Sequence, residues 1–179
     1  MGQLVASRQK ATSGMTEIGG GRQFLVFSLA DEVFAIDILR IREIIEFGHV
    51  TTVPLMPDTV RGVINLRGAV VPVVDLVARF GRGQMQTNRR TCVVILEVGH
   101  GDDLQVIGVM VDAVNEVLEI AAADIEPPPA FGTRLRADFI SGMGKAGGRF
   151  IILLDADRVL SVTEMASLGA ALKTSAVDG

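Results

Sequence analysis

Gly142-Met143-Gly144-Lys145-Ala146-Gly147 spells G-x-G-x-x-G, the spacing with which a glycine-rich turn cradles a dinucleotide pyrophosphate. That chemistry needs a strand before the motif and a helix after it, whose free backbone N–H groups meet the phosphate. Here an apolar strand follows, Phe150 to Leu154, so the segment reads as a glycine-rich hairpin turn. Asp155 and Asp157 have the spacing of a metal-ligating carboxylate pair. However, Asp155 has a counterpart in Asp75, and each ends an apolar run before a short helix, which is the place of an N-cap. His49 and His100 lie far apart, and the one cysteine, Cys92, reads as a small buried hydrophobe. Together they supply no zinc ligand set. No serine or cysteine stands in a nucleophile motif. No catalysis, cofactor or metal is expected.

The second half of the chain repeats the first. Residues 61–75 and 141–155 share glycine, polar turn, glycine, apolar run and aspartate at an offset of 80, without a gap. Ile41-Arg42-Glu43-Ile44-Ile45-Glu46 is echoed 73 residues later by Val114-Asn115-Glu116-Val117-Leu118-Glu119. Function is best sought where the copies differ. The hairpin tip Asn65-Leu66-Arg67-Gly68 corresponds to Lys145-Ala146-Gly147-Gly148, so Arg67 has no arginine twin. Its planar fork suits an ion pair with a carboxylate, or an exposed turn. Glu43 is a candidate partner, although Glu116 echoes it.

The elements that must hold these residues are mostly strands. Gln23 to Leu29 and Val33 to Asp37 flank the short polar turn Ala30-Asp31-Glu32 and predict a hairpin. Ile38, Ile41 and Ile45 share one face of a short helical pattern. After the link containing Pro54 and Pro57, Val63–Leu66 and Ala69–Val74 predict a second hairpin, with Asp75 capping a helix over Leu76–Phe80. Cys92–Val98 and Gln105–Val111 predict strands of the second half, and Val162–Leu172 a final helix. About five short strands per half favour two small barrels, which leave no open edges.

Composition narrows the classes. The chain has 179 residues, 49% of them hydrophobic and 21% charged, enough for a packed core. A net charge of -4, no Trp or Tyr, and 8 scattered Phe argue against nucleic acid as a partner. The basic clusters Arg79-Phe80-Gly81-Arg82 and Asn88-Arg89-Arg90 read as solvated loop charges. No apolar run reaches the roughly 18 residues of a membrane span, so no direct membrane insertion is expected. No export signal is visible either, which gives a cytoplasmic reading. Residues 1–21 read as a flexible arm and 171–179 as a flexible tail.

Phe24-Leu25-Val26-Phe27, Ile36-Asp37-Ile38, Glu43-Ile44, Gly62-Val63-Ile64-Asn65-Leu66-Arg67-Gly68 and Val71-Pro72-Val73-Val74-Asp75-Leu76 together resemble the CheW chemotaxis coupling family. Gly108-Val109-Met110-Val111-Asp112 and Ile125-Glu126-Pro127 resemble its second half, so the likeness spans about residues 22–170. It implies a mainly β fold of two pseudo-symmetric five-stranded SH3-like barrels, interlocked, over roughly 22–85 and 88–160, with short helices and a C-terminal helix. It also implies a non-enzymatic adaptor, recruited to membrane-associated receptor arrays. The implied partners are the cytoplasmic tip of a chemoreceptor and the regulatory domain of a CheA-type histidine kinase. By the same resemblance, Glu43 and Arg67 lie in the receptor-contacting region, and Ile41, Arg61, Gly62 and Gly108 around the groove between the barrels.

Overall fold

The structure is a computed structural model that describes residues 21–99, 101–128 and 136–161. Eleven strands make two sheets among these residues. β1 (Gly21–Leu29) and β2 (Glu32–Asp37) form the first hairpin, and one 3-10 turn, Ile38–Arg40, leads to β3 (Ile41–Glu46). β4 (Val60–Leu66) and β5 (Ala69–Asp75) form the second hairpin and run into α1 (Leu76–Arg79). β6 (Cys92–Val98), β7 (Gln105–Val111), β8 (Ala113–Ala121) and β9 (Ile125–Glu126) follow. β10 (Ile140–Ala146), β11 (Arg149–Leu154) and α2 (Ala156–Val159) complete the described chain.

The interlocking is an exchange of hairpins. The five-stranded sheet runs β3-β6-β7-β5-β4, and the six-stranded sheet runs β8-β1-β2-β11-β10-β9. The first hairpin therefore sits with the second half's strands, and β6–β7 sits with the first half's, so neither sheet follows the boundary near residues 85–88. Each guest hairpin pairs antiparallel with one host strand, β1 with β8 and β6 with β3, and parallel with another, Ile152 opposite Phe34 and Val73 opposite Gly108. The two-residue β9 is the sixth strand that the expectation of five per barrel lacked.

Exchange gives the sheets a common interior. Leu25, Phe27 and Phe34 from the six-stranded sheet pack in one cluster with Val73, Ile95, Val109 and Met110 from the other. An aromatic chain crosses it: Phe27 to Phe34 at 6.1 Å, Phe34 to Phe80 at 5.6 Å, and Phe80 to Phe139 at 6.0 Å between ring centroids. A smaller cluster of Phe24, Val26, Ile120, Ile151 and Leu153 fills the six-stranded sheet alone. Burying side chains of this size contributes about 1.5–3 kcal/mol each. The larger cluster is thus shared by both barrels.

Three local readings change. Ile38, Ile41 and Ile45 do not form a helix. Asp37 accepts the Leu39 N–H at 2.9 Å and caps a single 3-10 turn. From Ile41 the β-branched run then pairs with β6, alternating half-buried and exposed side chains. Gly21, assigned to the arm, begins β1 opposite Ala121. Gly142 and Gly144 are strand residues of β10, not a turn. A Cβ on Gly144 would lie 2.8 Å from Ile120 Cδ1, and the turn itself is Gly147-Gly148. The expected C-terminal helix and both terminal segments, Gly21 apart, lie outside the described residues.

Candidate functional site at the mouth of the five-stranded barrel

β3 and β4 are the two outer strands of the five-stranded sheet. Two contacts draw them together. Thr51, beyond β3, exchanges both backbone hydrogen bonds with Val63 of β4, each 2.9 Å long. Gly62 makes this approach possible, because a Cβ there would stand 2.3 Å from the Thr51 carbonyl oxygen. The second contact is made by side chains. Arg67 donates from both terminal nitrogens to the two oxygens of Glu43, one bond measuring 3.0 Å. Paired forks of this kind are the strongest form of arginine–carboxylate contact.

The hairpin that presents Arg67 is a two-residue turn between Leu66 and Ala69. Arg67 has φ +54° and Gly68 φ +88°, the left-handed pair of a type I′ turn, which matches the twist of the flanking strands. Asn65 accepts the Gly68 N–H at 2.9 Å and fixes the turn. The corresponding turn of the other barrel, Gly147-Gly148, has φ +59° and +79°. The backbone is therefore the same, yet an arginine occupies the place where its twin is glycine, in a conformation that opposes a Cβ.

The pair is open to solvent, with the Arg67 side chain 74% exposed and that of Glu43 25%. The Arg67 hydrogen bond holds the Glu43 carboxyl below its ordinary pKa, with Coulombic attraction from Arg67 and Arg42 in the same direction and desolvation opposed. Donation to Glu43 raises the Arg67 pKa in turn. Both groups are therefore ionised across the neutral range.

The other expected site residues lie behind this mouth. Arg61 donates to the Met85 carbonyl at 3.0 Å and lies 3.8 Å from the carboxylate of Asp75. Asp75, 1% exposed, accepts the N–H groups of Met85 at 2.8 Å and Ala78 at 3.2 Å. Ile41 is half-buried and packs on the common core. Gly108 is buried in β7, where a Cβ would meet Val93 Cγ1 at 2.7 Å. Gly62 and Gly108 are thus buried and Ile41, Glu43 and Arg61 half-buried, whereas Arg67 stands in solvent.

The residues first considered for chemistry hold structural contacts where they are described. Asp155 accepts the Arg158 N–H at 3.2 Å as the N-cap of α2, repeating Asp75. Asp157 binds Arg40 and the Gly99 N–H. Among the described residues no three metal-ligating groups cluster, and no helix is long and apolar enough to cross a membrane. His49 is exposed, and His100 lies outside the described residues. Cys92 is half-buried, with Sγ 3.4 Å from the Arg90 carbonyl. The cluster around residue 80 is not solvated charge. Arg79 donates to the Val159 carbonyl at 2.6 Å, and Arg82 pairs with Glu32.

Comparison with known proteins agrees with this architecture. Residues 23–164 match the model of the CheW-like domain. The chemotaxis protein CheW of Klebsiella aerogenes is 38% identical over 146 residues, covering 82% of this chain and 86% of that one. CheW of Rhizobium meliloti is 35% identical over 145 residues, covering 81% and 91%. The crystal structure of the scaffolding protein TtCheW from Thermoanaerobacter tengcongensis superposes with a TM-score of 0.68 at 36% identity, over 75% of this chain and 84% of that one. With two interlocked SH3-like β units and a family match over most of its length, the chain belongs to the CheW family of chemotaxis coupling and scaffold proteins.

Proposed function

We propose that this chain is a non-enzymatic coupler that binds a chemoreceptor's cytoplasmic tip and the regulatory domain of a CheA-type histidine kinase at the same time. It is thereby recruited from the cytoplasm to membrane-associated receptor arrays. The receptor side is the mouth formed by β3 and the β4–β5 hairpin, with Glu43 and Arg67 in contact and Ile41, Arg61, Gly62 and Gly108 holding the strands beneath them. The kinase side uses barrel ends away from this mouth.

One observation carries the reading. Arg67 occupies a left-handed turn position that its twin fills with glycine, and it is exposed and forked onto Glu43. A backbone position unfavourable to a side chain, filled by a large charged one, points to a task beyond architecture. Coupling follows if the receptor's signalling states bind this surface with different free energies, since a ligand shifts an equilibrium only by its differential affinity. The test is receptor pull-down with Arg67→Glu. Recruitment is expected to fall sharply with the fold intact, and undiminished recruitment removes Arg67 from the site.

A further inference from the structure

A second arginine without a counterpart in the repeat lies where the chain passes from one sheet to the other. Arg40 closes the turn between β2, in the six-stranded sheet, and β3, in the five-stranded one. Its Nη2 donates to Asp157 Oδ2 at 2.6 Å, and its Nη1 lies 3.5 Å and 3.4 Å from the carbonyls of Glu97 and Gly99 at the end of β6. The other oxygen of Asp157 accepts the Gly99 N–H at 2.9 Å. A single carboxylate on α2 is thus bonded at once to the crossover and to the β6–β7 turn. α2 follows the six-stranded sheet, whereas β6 and β7 belong to the five-stranded one.

This link is more shielded than the ion pairs around it. The Arg40 and Asp157 side chains are 32% and 23% exposed, against 54% and 41% for Arg42 and Glu97, which stand 3.6 Å apart. Pairs of the latter kind contribute little. Gly99, at φ +104°, presents its N–H from a turn where a Cβ would lie 2.4 Å from the Asp103 carbonyl oxygen. In the repeat, Asp157 corresponds to Val77 and Arg40 to Ala113. The other barrel is tied at the equivalent places by different groups: the Asp112 carboxylate, at the β7–β8 crossover, accepts the Ala30 N–H of the β1–β2 turn, and Arg82 pairs with Glu32. Glu43 lies three residues beyond Arg40, on β3.

We propose that Arg40 and Asp157 are positioning residues for coupling. They clamp the start of β3 to α2, so that a displacement at the Glu43–Arg67 mouth is passed to the other barrel and is not absorbed at the crossover. This rests on the coupling role proposed above. Asp157→Asn removes the charge and keeps an oxygen for the Gly99 N–H, while Arg40→Gln removes the guanidinium.

The test uses the full chain reconstituted with a receptor cytoplasmic fragment and the kinase, together with amide hydrogen exchange on the chain alone. In both variants each partner binds as tightly as to the wild type, but receptor control of kinase autophosphorylation drops by about fivefold or more. Exchange at Ile41, whose N–H closes the crossover turn, rises about tenfold while the core strands stay protected. Arg40→Lys, which keeps a cation opposite Asp157, recovers part of the control. Full receptor control in Asp157→Asn overturns the proposal, as does unchanged exchange at Ile41. Faster exchange throughout both sheets also overturns it, since that marks a role in general stability. Should the wild type fail to hold receptor and kinase together, the coupling reading and the positioning role built on it both fall, and exchange then reports only whether the clamp exists.

Discussion

Asp75 and Asp155 are twins in sequence and in backbone position, yet their surroundings predict unequal losses on replacement by alanine. Asp155 caps α2 through one N–H at 3.2 Å. Losing such a cap costs about 1 kcal/mol. Asp75 makes the same cap and also accepts the buried Met85 N–H at 2.8 Å. An unmet buried donor adds about 2 kcal/mol, for a total of about 3 kcal/mol for Asp75→Ala against about 1 kcal/mol for Asp155→Ala. In a domain of this size each kcal/mol moves Tm by about 3 °C. The expected falls are therefore about 9 °C and about 3 °C by differential scanning calorimetry, with urea midpoints in the same order. Arg61 leans on the same carboxylate, so Asp75→Ala also loosens the mouth and weakens receptor recruitment. Equal losses in the twins would refute the reasoning, because the Met85 bond would then contribute nothing.

Gly62→Ala forces a Cβ to within 2.3 Å of the Thr51 carbonyl oxygen. It is expected to break the Thr51–Val63 bridge and lower stability by about 2 kcal/mol or more in urea unfolding. Gly108→Ala crowds Val93 in the core, with about 1–3 kcal/mol lost and receptor recruitment by the remaining folded protein weakened in a pull-down. For the mouth pair, the double reversal Glu43→Arg with Arg67→Glu keeps the ion pair but inverts what the receptor meets. Tm then stays near that of the wild type while recruitment stays low. The depressed Glu43 pKa also fixes a sign: any stability from the pair is present above the ordinary carboxylate pKa of about 4.3 and is lost as pH falls through the lower folded value. NMR titration should find Glu43 below that ordinary value, and Arg67→Ala should return it there.

Strands with dense β-branched runs were legible in the sequence. Cys92–Val98 and Gln105–Val111 have the limits read from their residues, because a continuous apolar run and flanking polar turns both mark them. The Asp75 and Asp155 caps were legible from position alone. The stretch from Ile38 to Ile45 misled, since isoleucines at three- and four-residue spacing suit a helix face until a neighbouring strand claims the backbone. Hairpin exchange was invisible for a physical reason: strand pairing is set by contacts distant in sequence, and the repeat reads the same whichever half a hairpin joins. Arg67 with Glu43 could be suspected from the missing twin. Arg40 and Asp157 carried the same signal, but Asp157 was weighed only as a metal ligand, and its partner lies 117 residues away.

The account stands most directly on one measurement: analytical ultracentrifugation of this chain with a cognate receptor fragment and the kinase regulatory domain, each separately labelled. The prediction is a single sedimenting species carrying all three labels, which loses only the receptor label with Arg67→Glu. Two separate binary species, with receptor and kinase competing for the folded chain, would contradict it.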